Sequence, residues 1–268
     1  FSSRMTFDAE RDLKRLTEKF GTPRTSALLQ MAQQRTSRDL GEGKPKIRCI
    51  LIDNRGVGRS DKPDGPYTTA RMATDVADVA DALGIERAHT AGISMGGAIV
   101  QELALQRPDL VRSAVIISSW ARLNPYAVRV FEHMKPARAH MRPEDFMDLI
   151  QLWIFTAPHY AAHGSDLAQG RADAGANPTP QPQHGFEAQA DACISHDCLE
   201  RLAAIEAPTL VVAGEDDIFT PLDFSREIAA GIPGAELAVW SNAGHAVHWE
   251  VLDEFNARSR DFLLSHDV

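Results

Sequence analysis

The sequence predicts an α/β fold: a doubly wound, mostly parallel sheet carrying a helical insertion. Three observations lead there. Short apolar runs rich in Val, Ile and Ala alternate with amphipathic stretches of about a dozen residues, the rhythm of right-handed strand-helix-strand crossovers. A Gly-x-Ser-x-Gly pattern, Gly92-Ile93-Ser94-Met95-Gly96, sits where one apolar run gives way to a helical pattern. Between Ser119 and about Glu206 no strand pattern stands out, and aromatic, Met and His residues accumulate at partly helical spacing.

The N-terminal stretch 7–20 places Leu13, Leu16 and Phe20 at helical spacing before Gly21, and a second, weaker helix covers 25–35. A polar, Gly-containing loop follows, to Lys46. The nearly continuous apolar run over residues 47–53 predicts a strand, with Cys49 in the core. It runs into Asp53-Asn54-Arg55-Gly56-Val57-Gly58-Arg59-Ser60, whose glycines permit tight turns and whose charged groups brace the loop. Thr69 to Leu83 is a helix, with Met72, Val76, Val79, Ala80 and Leu83 on one stripe and Gly84 as its stop. Ala88 to Ile93 reads as a buried strand, Met95 onward as a helix closed by Pro108, and Val111 to Ile117 as the next strand. In the insertion, Glu144 to Phe155 has helical periodicity and Asn177 to Gln183 is a loop. The sheet resumes at Pro208 to Ala213. A helix over Pro221 to Ala230, a last strand over Glu236 to Trp240 and a closing helix from Trp249 to Leu264 follow.

A chain of 268 residues with 44% hydrophobic and 24% charged residues can bury a large core without staples. Its formal net charge of -9 argues against nucleic acid and against an anionic membrane surface. No apolar run is long enough to span a bilayer, and the first residues lack a signal-peptide core, so a cytoplasmic protein is expected. Cys49, Cys193 and Cys198 form neither a disulfide framework nor a zinc pattern. The histidines of the insertion, among them His133, His159 and His196, have no ligand spacing, so neither metal nor cofactor is expected.

The Gly-x-Ser-x-Gly pattern has a chemical reason. A serine on a very sharp strand-to-helix turn holds its Oγ out in a strained conformation. Glycines two before and two after it let neighbouring backbone pass close. The helix that begins next aims its free N–H groups at the place where an oxyanion would form. With this nucleophile elbow the chain resembles the α/β-hydrolase family. The Asp-x-Arg-Gly-x-Gly-x-Ser phrase, Asp53 to Ser60, is similar to the loop after a central strand in many of its members.

The resemblance implies a triad in the chain order serine, acid, histidine. Ser94 is the expected nucleophile. Gly214-Glu215-Asp216-Asp217 offers three carboxylates; the family pattern puts the acid at Asp217, with Asp216 the rival. His245, in Asn-Ala-Gly-His, is similar to the family's Gly-His motif, with His248 the rival base. The backbone N–H of Met95 is the expected first oxyanion donor. Residues 119–206 correspond to a helical cap inserted into a core of residues 46–118 and 207–268. One departure stands out: the apolar strand and His-Gly loop that bring the second oxyanion donor have no counterpart before Ile47. Residues 1–45 therefore read as an atypical helical segment, the usual one deleted or replaced. The chain is expected to be a serine hydrolase cleaving a small ester or lactone, similar to the carboxylesterase and enol-lactonase group. Carbon–carbon bond hydrolases and cofactor-free perhydrolases share these motifs, and a non-catalytic binding protein of the same fold is the alternative from another class. The N-terminal amphipathic helices are compatible with a homo-oligomer.

Overall fold

In the computed structural model, which describes residues 49–267, four parallel strands pair in the order β1 (Ala88–Ile93), β2 (Val111–Ile117), β3 (Thr209–Gly214) and β4 (Glu236–Trp240). The helices expected over 7–20 and 25–35, and the whole segment 1–45, lie outside the described residues.

Two of these strands, β2 and β3, follow apolar runs in the sequence, for a physical reason. Ala114 and Ile116 of β2 face one core cluster, with Met72, Leu103 and Val211; Val115 and Ile117 face the other, with Leu210, Val212 and Phe262. A strand buried on both faces reads as an unbroken hydrophobic run. Helices α1 (Thr69–Ala82) and α2 (Met95–Gln106) supply the first cluster. The Thr68 hydroxyl caps α1 by accepting the Arg71 N–H at 3.0 Å, and Gly84, at φ +68°, ends it. Helix α10 (Leu252–Ser265) supplies Phe262 to the second.

Between β2 and β3 the chain is helical: α3 (Pro125–His140), α4 (Pro143–Ile154), α5 (Ala157–Ala162), α6 (Gly164–Gly175), α7 (Gln183–Ser195) and a 3-10 turn over Leu199–Ala204. This stretch leaves and rejoins the core at one point. Arg122 and Asp197 form an antiparallel bridge and an ion pair at 3.5 Å, and the Cys198 N–H donates to the Ala121 carbonyl at 3.0 Å. Helix α8 (Leu222–Gly231) follows β3, and α9 (Val247–Glu250) follows β4.

Four expectations are corrected. The described part of the strand predicted over 47–53 forms no ladder with any described residue, and Leu51 is exposed. A strand requires a neighbour, and apolarity alone does not supply one. Cys49 is exposed rather than in the core for the same reason. β1 is half-exposed, not buried, because among the described residues it pairs only with β2. The closing helix breaks at Val251, at φ -125°, ψ 52°, which separates α9 from α10.

Candidate active site

All four strands run parallel, so their C-terminal ends share one rim, where open α/β sheets bind ligands. Ser94 follows β1, Ser118 and Ser119 follow β2, Asp217 lies beyond β3 and His245 beyond β4.

Ser94 is held at φ 54°, ψ -120°, a conformation that costs a non-glycine residue ~1–3 kcal/mol. Its carbonyl accepts the N–H groups of Gly97 at 2.9 Å and Ala98 at 3.2 Å, which starts α2. The Met95 N–H lies in that first turn, where no intrahelical acceptor exists. The glycines divide the steric work differently from the motif's symmetry. A Cβ on Gly92 would stand 2.2 Å from the Gly96 carbonyl oxygen, so Gly92 has no substitute. A Cβ on Gly96 meets nothing within 4 Å. The second demanding position is Gly97, where a Cβ would lie 2.6 Å from the Ser119 Cβ.

The acid and base expected from the sequence are joined directly. His245 Nδ1 lies 2.9 Å from Asp217 Oδ2, and both side chains are buried. Asp217 Oδ1 accepts the backbone N–H groups of Phe219 and Thr220, each at 2.8 Å. Oδ2 accepts the Thr220 hydroxyl at 2.7 Å as well as the imidazole. Three donors and the imidazole nitrogen thus surround one carboxylate. Phe219 meets the His245 ring edge-on, centroids 4.9 Å apart.

The rivals are placed elsewhere. Glu215 and Asp216 are exposed, and the Asp216 N–H is bonded to the Ala243 carbonyl. His248 has a buried Nδ1 without a hydrogen-bond partner. Burial pushes its pKa down to about 4, with His245 acting in the same direction. Ser94 Oγ makes no hydrogen bond to His245 among the described residues. The structure thus joins His245 to Asp217 and sets Ser94 on the same rim.

Sequence reasoning missed three supporting residues. Ser119 donates its hydroxyl to the Ser94 carbonyl at 2.8 Å. Thr220 bridges Asp217, His245 and the Ser118 carbonyl. Glu250 accepts the Gly244 N–H at 3.0 Å and the Thr156 hydroxyl at 2.5 Å, and the Ala246 N–H donates to the Ile154 carbonyl at 2.9 Å. None of these follows a recognisable spacing. The Asp53–Ser60 loop is braced internally: Asp53 accepts from the Arg59 N–H and the Ser60 hydroxyl, while Arg55 pairs with Asp75 at 2.6 Å. Among the described residues no cluster of three or more His, Cys, Asp or Glu could hold a metal ion, and no helix is long and apolar enough to cross a membrane.

A parallel sheet whose rim carries a serine on a strained strand-to-helix turn and a buried carboxylate–imidazole pair defines an α/β-type hydrolase. Residues 36–251 match the family described as alpha/beta hydrolase fold. The chain belongs to that family. A curated relative from Azorhizobium caulinodans, named "Putative carbamate hydrolase RutD", is 36% identical over 209 residues, 78% of each chain. Among solved structures, the enol-lactonase of Burkholderia xenovorans LB400 is similar with TM-score 0.74 and 26% identity over 94% of this chain and 87% of that one. Est816, described as an N-acyl homoserine lactone degrading enzyme, is similar with TM-score 0.67 and 36% identity over 80% and 82%.

Proposed function

We propose that this hydrolase cleaves a small carboxylic ester or lactone, with Ser94 as nucleophile, His245 as general base and Asp217 as the acid that orients it. The observation that carries the reading is the buried 2.9 Å contact between His245 Nδ1 and Asp217 Oδ2. A serine hydroxyl is a weak nucleophile near neutral pH and needs a base whose tautomer is fixed. With Nδ1–H donating its hydrogen bond to Asp217, Nε2 is left as the acceptor. His245 takes the Ser94 proton as Oγ attacks the carbonyl, and the Met95 N–H stabilises the oxyanion. His245 then returns the proton to the leaving oxygen, and water hydrolyses the acyl-enzyme by the same steps in reverse order.

The aromatic contacts that link the inserted helices to His245 support an apolar acyl or alcohol group. A cavity of about 350 Å³ between α3 and α4, lined by Tyr126, Arg129, Val130, His133, Met134 and Trp153 among others, adjoins that chain of rings through Trp153. The Trp153 ring stands edge-on to Phe219 with centroids 6.0 Å apart, one ring removed from His245. Carbamates, named for the curated relative, present the same kind of carbonyl to a serine and belong in the substrate panel.

A second reading rests on the sequence: the His-Gly loop that brings the second oxyanion donor in this family has no counterpart here. Loss of one donor costs ~3 kcal/mol, a factor of roughly 10²–10³ in rate, which would favour a ligand-binding role. Hydrolysis of p-nitrophenyl acetate and butyrate by wild type and Ser94→Ala separates the two. Turnover by wild type alone supports the esterase reading; a folded wild type that neither turns over nor reacts with a fluorophosphonate at Ser94 supports the binding role.

A further inference from the structure

Ser118 and Ser119 close β2 in an unusual way. Ser118 is one of three described non-glycine residues at positive φ, at 45°. Its N–H donates to the Val212 carbonyl at 2.8 Å and its carbonyl accepts the Thr220 hydroxyl at 3.1 Å. The next residue turns the other way: the Ser119 hydroxyl donates to the Ser94 carbonyl at 2.8 Å, and its Cβ fills the space left by Gly97. One dipeptide thus touches the serine's backbone on one side and the acid–base pair on the other. Both residues are fully buried, and Thr220 is 1% exposed.

Proton accounting assigns the direction of each bond. Thr220 Oγ1 has one proton and three neighbours: the Ser118 carbonyl at 3.1 Å, Asp217 Oδ2 at 2.7 Å and His245 Nδ1 at 2.9 Å. The hydrolase reading puts a proton on Nδ1, so the imidazole donates there and the hydroxyl proton goes to one of the other two, which only accept. Oγ1 is then an acceptor toward the imidazole, and the Nδ1 proton lies between Asp217 Oδ2 and Thr220 Oγ1. Two acceptors on different atoms fix the imidazole plane more firmly than one, since rotation that preserves one bond breaks the other.

We propose that Thr220 and Ser119 are positioning residues, and that the Ser118–Ser119 dipeptide is the bridge that keeps the Ser94 elbow and the His245–Asp217 pair in register. This rests on the hydrolase reading above. Thr220 acts through His245 and Asp217; Ser119 acts through the Ser94 backbone. Neither touches the substrate carbonyl in this scheme.

The test compares Thr220→Val, which keeps the shape and loses the hydroxyl, with Thr220→Ser, which keeps the hydroxyl. Among the described residues, Asp217 is bonded to His245 and His248 interacts with it through charge. With p-nitrophenyl butyrate, Thr220→Val is expected to lower kcat about tenfold with KM unchanged. It should also move the acid limb of the kcat/KM profile, because the imidazole then loses one of its two acceptors and Asp217 Oδ2 loses a competing donor. Thr220→Ser should restore both. Ser119→Ala should slow fluorophosphonate labelling of Ser94 several-fold without moving the acid limb, and it carries the test if Thr220→Val does not fold. An unmoved acid limb in a folded Thr220→Val, or an unchanged labelling rate in Ser119→Ala, overturns the proposal. The His245 titration followed by NMR, assigned with His245→Gln, gives the same readout without turnover. A wild type that is inactive while Thr220→Val still shifts that titration removes the hydrolase reading and leaves the positioning role standing.

Discussion

Glu250 holds the backbone N–H of Gly244 at 3.0 Å, one residue before His245, and with the same carboxylate takes the hydroxyl and N–H of Thr156 beyond α4. The loop that carries His245 and the corner of the inserted helices are thereby tied to one side chain. Removing it in Glu250→Ala leaves two backbone donors without their acceptor, each worth about 1–3 kcal/mol when buried. The expected result is a melting temperature lower by several degrees, together with a fall in kcat. Glu250→Gln, which keeps one acceptor oxygen, should recover part of both. An unchanged melting temperature in Glu250→Ala would sink the account of the tie.

The elbow glycines should separate cleanly. Gly92→Ala forces a Cβ into the Gly96 backbone and is expected to abolish soluble, folded protein. Gly97→Ala presses on Ser119 and Ile116 and should cost about 1–3 kcal/mol as an overpacked core site. Gly96→Ala meets open space inside a helix and should be neutral or stabilise by roughly 0.5–1 kcal/mol. Denaturant unfolding of the three variants ranks them; a Gly96→Ala as damaging as Gly97→Ala contradicts the assignment.

Acid should weaken the fold through His196. This imidazole is buried, bonded to the Thr69 hydroxyl at 2.8 Å, and burial pushes its pKa down to about 4; Glu102 offsets this in part and Arg201 adds to it. The unfolded chain, with a His pKa near 6.5, takes up the proton first as pH falls. The contribution is therefore complete above about pH 6.5 and is lost between there and about pH 4, by ~3 kcal/mol. Melting temperatures across that window should fall, and fall less steeply in His196→Gln. Equal slopes for the two proteins would remove His196 from the explanation.

The thiols offer a simple check on burial. Of the three cysteines, Cys49 is exposed, while burial pushes Cys198 up to about 12 and Cys193 upward as well. A thiol reagent at neutral pH should modify one cysteine in the native protein and three after denaturation. Prompt reaction at Cys198 in the folded protein would contradict the packing described.

The parts of this fold legible in the sequence are those where local chemistry is decisive. β2 and β3 are buried on both faces and announce themselves as unbroken apolar runs. The Ser94 turn is marked by glycines and Asp217 by its place after a strand end, although choosing Asp217 over Asp216 needed the family pattern. What stayed hidden depends on partners distant in sequence. The run around Cys49–Asp53 has the composition of a strand but pairs with no strand among the described residues. Thr220 and Ser119 look like ordinary polar residues until strand order brings Ser118, Asp217 and Ser94 together. The break at Val251 carries neither proline nor glycine, so nothing in the local chain foretells it.

The neck at Arg122 and Asp197 has a historical consequence. Because the helical stretch departs and returns at adjacent positions, lineages can lengthen, shorten or exchange it without disturbing a single ladder of the sheet, as insertions at closely spaced ends generally allow. A graft that replaces α3 to α7 between those two positions would keep the pairing of β1 to β4, and would have to rebuild the contacts that Thr156 and Trp153 make with Glu250 and Phe219.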